Sequence, residues 1–250
     1  MSKIVIIASL VILGFTLTVF ASDPSQNFIS SKDFMTVKTI LEKTGIPLEA
    51  VWKIADFEGD KVVGLDLSVK TKPAVDYSGI NSDNDSLNTI KPIYYVPSEI
   101  GELKSLRKLN LDGNKLTTLP NEIGKLENLE ILSVQRNFLV ELPLTLGDLK
   151  SLTVLNLSGN QLNALPQAIF TWSNLEILDL STNKLRELPE EIGELRSLRY
   201  LYVQENPLNT IPVNFTGLNL KGFNVSSGML RSINPEMKNW VFANRSEQGL

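Results

Sequence analysis

The stretch LRKLNLDGNKLTTLPNEIGKLEN, residues 106–128, decides the fold because its pattern returns every 23 residues along the chain. Five regular copies occupy residues 106–219. The recurring leucines are Leu109, Leu132, Leu155, Leu178 and Leu201, and the recurring asparagines are Asn114, Asn137, Asn160, Asn183 and Asn206. A fixed period of this length indicates a solenoid in which each copy forms one coil.

Within a copy the spacing of apolar residues changes. Leu109 and Leu111 alternate, as in a short strand with one buried face. After Asn114 the apolar residues are three or four positions apart around Pro120 and Gly124, which indicates a turn and a short return segment. One copy alone cannot bury its leucines, so the coils must stack and their strands must form a parallel sheet.

The motif Leu-Pro-x-x-Ile-Gly-x-Leu resembles one variant of the leucine-rich repeat family. It is present as residues 119–126 and 188–195, and with Leu146 for isoleucine as residues 142–149. The third and fifth copies depart from it, with Phe170 and Thr216 at the glycine position and Trp172 for the last leucine of the third. The resemblance implies an α/β repeat solenoid with a concave parallel sheet, an irregular or short-helical convex side and a helical N-terminal cap. It also implies that the five asparagines form a structural ladder whose amides bond to backbone groups of neighbouring coils.

Composition excludes several classes of function. The formal charge is −4, and the chain contains neither cysteine nor histidine. Cysteine nucleophiles, Ser-His-Asp triads and zinc sites with nitrogen or sulfur ligands are therefore absent. No basic stripe is apparent, which argues against a nucleic-acid partner. We predict no cofactor and no metal site, because the calcium-like series Asn81, Asp83, Asp85 fails at two later positions, where Ser86 and Pro92 stand.

Residues 1–21 are predicted to be a secretory signal peptide. Lys3 precedes an apolar run from Ile4 to Phe20, and residues 19–21 form a small-x-small cleavage site before Ser22. The alternative is an uncleaved membrane anchor, for which about 20 apolar residues are usual. The signal predicts an exported protein that is secreted, periplasmic or on the cell surface, with no stable membrane insertion after cleavage.

Irregular segments flank the regular copies. We predict a linker and helical cap at 22–61, with one helix through Phe34 to Leu41 and a second short helix through Leu48, Val51, Trp52 and Ile54. Residues 62–105 form a first irregular repeat that contains an inserted loop at 71–91. Residues 220–250 form a short last repeat, a C-terminal cap and a tail, in which Trp240, Val241 and Phe242 cover the last coil.

Function must lie in residues that the fold leaves free, and the strands offer three outward-facing columns. The first column is Lys108, Ile131, Val154, Ile177, Tyr200 and Gly222; the second column is Asn110, Ser133, Asn156, Asp179, Tyr202 and Asn224; the third column is Asp112, Gln135, Ser158, Ser181, Gln204 and Ser226. We predict a protein-binding surface on the concave face made of Ile131, Val154, Asn156, Ile177, Asp179, Tyr200, Tyr202, Gln135 and Gln204. The alternative for the aliphatic members is plain strand preference.

The resemblance implies a non-enzymatic scaffold that binds another protein and, as in bacterial family members with a signal peptide, is exported. The alternative is an envelope component that binds polysaccharide or assembles with copies of itself, with a glycan held by the tyrosines. An enzyme is not expected, since no spacing pairs a nucleophile with a base and the ligases built on such repeats need a cysteine.

Overall fold

The computed structural model describes residues 29–69, 91–226, 228 and 235–244. In this part of the chain an eight-stranded sheet runs in sequence order from β1 to β8. The strands are β1 Ala55–Glu58, β2 Lys61–Asp66, β3 Lys108–Asn110, β4 Ile131–Ser133, β5 Val154–Asn156, β6 Ile177–Asp179, β7 Tyr200–Tyr202 and β8 Gly222–Asn224. Strands β2 to β8 are parallel neighbours, so the predicted α/β repeat solenoid is confirmed. The predicted signal peptide and nearly all of the inserted loop lie outside the described residues.

Each regular coil places the same repeat position beside its counterpart. Leu109 pairs with Leu132, and Leu132 with Leu155, so the 23-residue period sets the strand register. The chain then returns through a 3-10 turn that begins directly after the repeat proline, whose φ near −69° suits a helix start. These turns are Ser98–Glu102, Asn121–Lys125, Leu144–Asp148, Gln167–Thr171, Glu190–Glu194 and Val213–Gly217.

The repeat leucines and isoleucines form one continuous core. Leu109, Leu116, Ile123 and Leu126 of the first regular copy are all fully buried. Each buried leucine contributes roughly 1.5–3 kcal/mol, and the pattern repeats in every coil. Phe170 and Trp172, which break the motif in the third copy, are also buried in this core.

The repeat glycine is required because the coils approach each other closely at the 3-10 turns. A Cβ on Gly124 would overlap the Thr145 carbonyl oxygen and lie 2.8 Å from the Thr145 Cβ. A Cβ on Gly101 would lie 2.7 Å from the Glu122 carbonyl oxygen. These distances are shorter than any van der Waals contact, so a side chain at either position would force the neighbouring coil to move.

The five asparagines lie inside the coils and connect them. Asn160 donates from Nδ2 to the carbonyls of Val134 (2.9 Å) and Leu157 (3.0 Å), and its Oδ1 accepts from the Leu139 N–H (3.0 Å). The same three-way pattern recurs at Asn114, Asn137 and Asn183, and Asn206 also continues it. The ladder therefore satisfies buried backbone groups that water does not reach.

A second ladder runs along the outside, at the last residue of each of the first four regular copies. The donors alternate between asparagine and serine: Asn128 to Lys104 O, Ser151 to Glu127 O, Asn174 to Lys150 O and Ser197 to Ser173 O, with donor–acceptor distances of 2.5–2.9 Å. Each bond joins one coil to the coil before it. Sequence reasoning missed this ladder, although the alternation is visible in the sequence.

The N-terminal cap begins with α1, Lys32–Thr44, whose Phe34, Val37, Ile40 and Leu41 are buried. The helix begins at Ser31, whose side chain accepts from the Phe34 N–H, and ends at Gly45 with φ 72°. Buried Asp33 accepts a hydrogen bond of 3.0 Å from the Val62 N–H and so fastens the helix to β2.

A second short helical segment lies where the sequence predicted it. The chain forms a 3-10 turn at Leu48–Ala50 and one helical turn, α2, at Val51–Ile54, and then enters β1, which pairs antiparallel with β2. Val51 and Ile54 are buried as predicted, but Trp52 is half exposed and lies near the rings of Phe34 and Phe57. Gly59, at φ 63°, closes the hairpin and allows β1 to extend the sheet past the first coil.

The other end is covered by α3, Pro235–Asn244. Val241 is fully buried, and the Trp240 ring lies 5.9 Å from Phe215 and 5.6 Å from Phe223 between centroids. The side chain of Phe242, which was predicted to cover the last coil, lies outside the described part of the chain. Leu230 and Ile233 of the short last repeat also lie outside it.

Candidate functional site

The outward side of the parallel strands, called the sheet face below, carries the predicted binding surface. The first column stays half exposed at Ile131, Val154, Ile177 and Tyr200. Because strands stack at about 4.8 Å, these four residues form a continuous apolar strip across β4 to β7. The structure therefore places these four predicted residues together and leaves them accessible.

The second column behaves differently from the prediction. Asn156 and Asp179 were expected to contact a partner, but they are only 2% and 6% exposed. Asn156 Oδ1 accepts from the N–H and hydroxyl of Ser158, and Asp179 Oδ1 accepts from the N–H (2.9 Å) and hydroxyl (2.6 Å) of Ser181. These side chains are short and lie between neighbouring strands, so they form a hydrogen-bonded floor and offer little surface to a partner.

Gln135, from the third column, is also buried in an internal network. Its Nε2 donates to Asp112 Oδ2 at 2.7 Å, its N–H donates to Asp112 Oδ1 at 2.9 Å, and the Ser133 hydroxyl donates to the same oxygen at 2.6 Å. Gln135 therefore holds the Asp112 carboxylate and does not project from the sheet face, contrary to expectation.

Burial makes both acidic groups of this floor harder to ionise. It raises the pKa of the Asp112 carboxyl above its ordinary value, against the opposing hydrogen bonds from Ser133 and Gln135, and nearby Asp66 adds to the rise. Burial likewise raises the pKa of Asp179, and the bonds from Ser181 counteract part of that change. The charges thus cost stability at neutral pH and are compensated by local donors.

Tyr202 and Gln204 extend the strip at its C-terminal end. Both are half buried, and Tyr202 lies two residues after Tyr200 on the same strand. The Gln204 Oε1 atom is buried and accepts no hydrogen bond from the described residues. The hydroxyl groups of the tyrosine pair give one end of the strip more polar chemistry than the aliphatic middle.

Sequence reasoning missed a fourth column, one residue before the first. Its members are Arg107, Glu130, Thr153, Glu176, Arg199 and Lys221, and all are exposed except the half-buried Thr153. Arg107 forms a two-contact ion pair with Glu58 of β1 at 3.0 and 3.1 Å. The charged column borders the apolar strip. The sequence indicates it by charged residues that recur with the period of 23.

Other kinds of site have no support in the described ranges. No group of three or more potential metal-ligating carboxylates occurs there. No helix in the same ranges is long and apolar enough to cross a membrane.

Comparison with known proteins agrees with the repeat architecture. The leucine-rich repeat family model matches residues 104–162 and 150–208. A leucine-rich repeat protein of Leptospira interrogans is 34% identical over 57% of this chain, with a TM-score of 0.44, and the chain covers 45% of that structure. Among curated proteins, none matches the sequence significantly.

Two plant structures share the fold at low identity. The leucine-rich repeat ectodomain of the Arabidopsis thaliana receptor kinase SOBIR1 is 21% identical, with a TM-score of 0.57, over 74% of this chain and 97% of that one. A plant ice-binding protein is also 21% identical, with a TM-score of 0.61, over 78% of this chain and 62% of that one. From its repeats and the family match over residues 104–208, the chain contains a leucine-rich repeat domain.

Proposed function

We propose that this chain is a non-enzymatic scaffold that binds another protein on its sheet face. One observation carries the proposal: the apolar first column remains partly exposed, whereas the polar residues beside it in the second column, Asn110, Ser133, Asn156 and Asp179, are buried and hydrogen-bonded internally. The apolar strip is surrounded by buried, hydrogen-bonded polar residues and bordered by exposed charged residues. This arrangement resembles the apolar core and polar rim of a protein interface. The leucine-rich repeat domain supports the proposal, because leucine-rich repeat proteins are generally binding scaffolds.

The size of the surface fits a protein partner. Six strands at about 4.8 Å span roughly 25–30 Å, which is close to the width of one side of a standard interface. The partner's contacts are expected to centre on Val154 and Ile177, with Tyr200 and Tyr202 as anchors. Aromatic anchors near the centre of an interface often carry much of its binding energy.

We also infer that the protein is exported. The support is the N-terminal sequence, in which Lys3 precedes the apolar run and residues 19–21 form a cleavage site. N-terminal sequencing of the protein recovered outside the cytoplasm should give Ser22 as the first residue. Recovery of a chain that still begins at Met1 and stays with the membrane would favour the anchor instead.

The binding proposal is tested by affinity capture from envelope and extracellular extracts. The test variant is Val154→Glu/Ile177→Glu, which places two charges in the apolar strip. The matched control is Leu144→Glu/Val213→Glu, which makes the same chemical change at residues that are 71% and 66% exposed on the 3-10 turns. A protein retained by the parent and control but lost by the test variant would support the proposal.

Equal capture by both variants would refute the sheet-face assignment. A Tyr202→Ala variant that loses binding to envelope polysaccharide, while the double-glutamate variant keeps it, would favour the glycan alternative. Concentration-dependent size of the parent in solution, abolished by the test variant, would favour self-assembly.

A further inference from the structure

A separate surface lies along the edge where the chain leaves the sheet. It consists of the first and third residues after each ladder asparagine, which alternate with buried residues and therefore point outward together. Tyr94, which lies 23 residues before Thr117, extends it by one coil. We call it the edge strip; its charged and large apolar members are Tyr94, Lys115, Phe138, Val140, Lys184 and Arg186. The coils are joined here by bonds such as Phe138 N–H to Leu116 O at 2.8 Å.

The edge strip is basic in an acidic protein. Lys115, Lys184 and Arg186 are exposed, and no aspartate or glutamate occupies any equivalent position in the five regular copies. In contrast, the six 3-10 turns after the repeat prolines carry seven carboxylates and one lysine. The fold therefore places three cations along one edge, while exposed Glu141 and Glu187 directly follow Val140 and Arg186.

These cations lack acidic partners among the described residues. Lys115 Nζ lies 3.3 Å from the Tyr94 hydroxyl and 5.3 Å from the centre of its ring. Lys184 Nζ donates to Gln161 Oε1 at 2.8 Å. No described carboxylate lies within 4.0 Å of Lys115, Lys184 or Arg186, whereas Arg107 is paired with Glu58. Their charge is available to an external anion.

Apolar surface is exposed between the cations. Tyr94 is 65% exposed, and Phe138 and Val140 are each 46% exposed on one coil. These large apolar side chains lie on the outside of a coil and do not contribute to the core. A bound ligand could therefore bury them. The ligand must combine apolar and anionic groups to satisfy both parts of the strip.

The backbone next to the strip adds a further observation. The residue before each ladder asparagine has positive φ, and glycine occupies it at Gly113 and Gly159. Arg136, Thr182 and Glu205 adopt the same conformation with φ of 54°, 55° and 56°, although side chains rarely do so and a β-branched residue least of all. All three are exposed beside the strip. Side chains kept at such positions are often kept for a functional contact.

We propose that the edge strip binds an extended acidic polypeptide segment. Lys184 and Arg186 receive its carboxylates, and Phe138 and Val140 receive an apolar side chain. From Tyr94 to Arg186 the strip crosses four coil steps of about 4.8 Å, or roughly 19 Å, which an extended chain covers in about six residues. This surface is distinct from the sheet face and does not depend on the function proposed there.

A polypeptide fits better than a nucleic acid. The whole chain carries a formal charge of −4, and the acidic 3-10 turns would repel a long polyanion. A short acidic segment can pair with Lys184 and Arg186, and its apolar side chain uses surface that a phosphate backbone would leave uncovered.

The test is selection of phage-displayed random heptapeptides on the immobilised full-length chain. Selected peptides are expected to contain at least two acidic residues and one apolar residue. Fluorescence anisotropy with the most enriched peptide should show affinity that falls with added salt. The Lys184→Glu/Arg186→Glu variant should bind it about tenfold more weakly or worse, because like charges then face each other.

The matched control is Lys53→Glu/Lys125→Glu, which changes net charge equally at exposed lysines away from the strip, and it should bind like the parent. Phe138→Ser should also weaken binding without changing charge. Peptides without acidic enrichment, or equal losses in test and control variants, would overturn the proposal. So would tighter binding of a twelve-nucleotide oligothymidylate than of the selected peptide. The Val154→Glu/Ile177→Glu variant should bind the peptide normally, which separates this outcome from failure of the sheet-face function.

Discussion

Replacing Asn160 by leucine tests the internal ladder at its centre. The substitution keeps side-chain size nearly constant but removes the three shorter hydrogen bonds of the amide and a longer one of 3.4 Å to the Ser158 carbonyl. The buried Leu139 N–H loses its acceptor, and an unsatisfied buried donor costs about 1–3 kcal/mol. The carbonyls of Val134 and Leu157 each keep one hydrogen bond, because each also accepts from a neighbouring ladder asparagine.

Adding the weaker loss at these two carbonyls, we expect Asn160→Leu to lower the free energy of unfolding by about 2–4 kcal/mol. Thermal unfolding followed by circular dichroism should show a lower midpoint, by about 2–4 °C per kcal/mol for a chain of this size. The control is Asn163→Leu, the same change at an exposed residue three positions later, which should stay within about 0.5 kcal/mol of the parent. Equal midpoints for the two variants would refute the ladder's contribution to stability.

Two further predictions concern close packing and buried charge. Gly124→Ala should destabilise the chain by about 1–3 kcal/mol, because the new Cβ would overlap Thr145. Gly217→Ala should be nearly neutral, because its Cβ would meet only the flexible end of an arginine at 3.2 Å. The two variants are compared by their urea unfolding midpoints, and similar midpoints would contradict the close approach at Gly124. Asp179→Asn should raise the midpoint at pH 7, because burial raises the pKa of Asp179 and its charged form therefore opposes folding. The gain should shrink as pH falls through the raised pKa and vanish below the ordinary value of about 3.9; a gain independent of pH would contradict this cause.

Much of the solenoid could be predicted because its determinants are local and repeated. The alternation of Leu109 and Leu111 predicted the strand, the family resemblance implied the role of the recurring asparagines, and each copy repeated the evidence. The hairpin of β1 and β2 could not be predicted in the same way. The hairpin occurs once, and β1 is defined by its pairing with β2, a contact that the 23-residue repeat does not predict. Trp52, named as part of the second cap helix, is half exposed beside this hairpin.

The candidate site divides along a similar line. The sequence alone determined which residues face outward from the strands, since alternation fixes the side of the sheet. Only the tertiary structure decided which of them are accessible: Asn156 and Asp179 face outward but are buried, because strands about 4.8 Å apart enclose short polar side chains between longer neighbours. Tertiary structure also decided the charge of the edge. Lys115 and Lys184 are three copies apart in an acidic sequence, and stacking of the coils places them on one edge, where their charges can act on the same ligand.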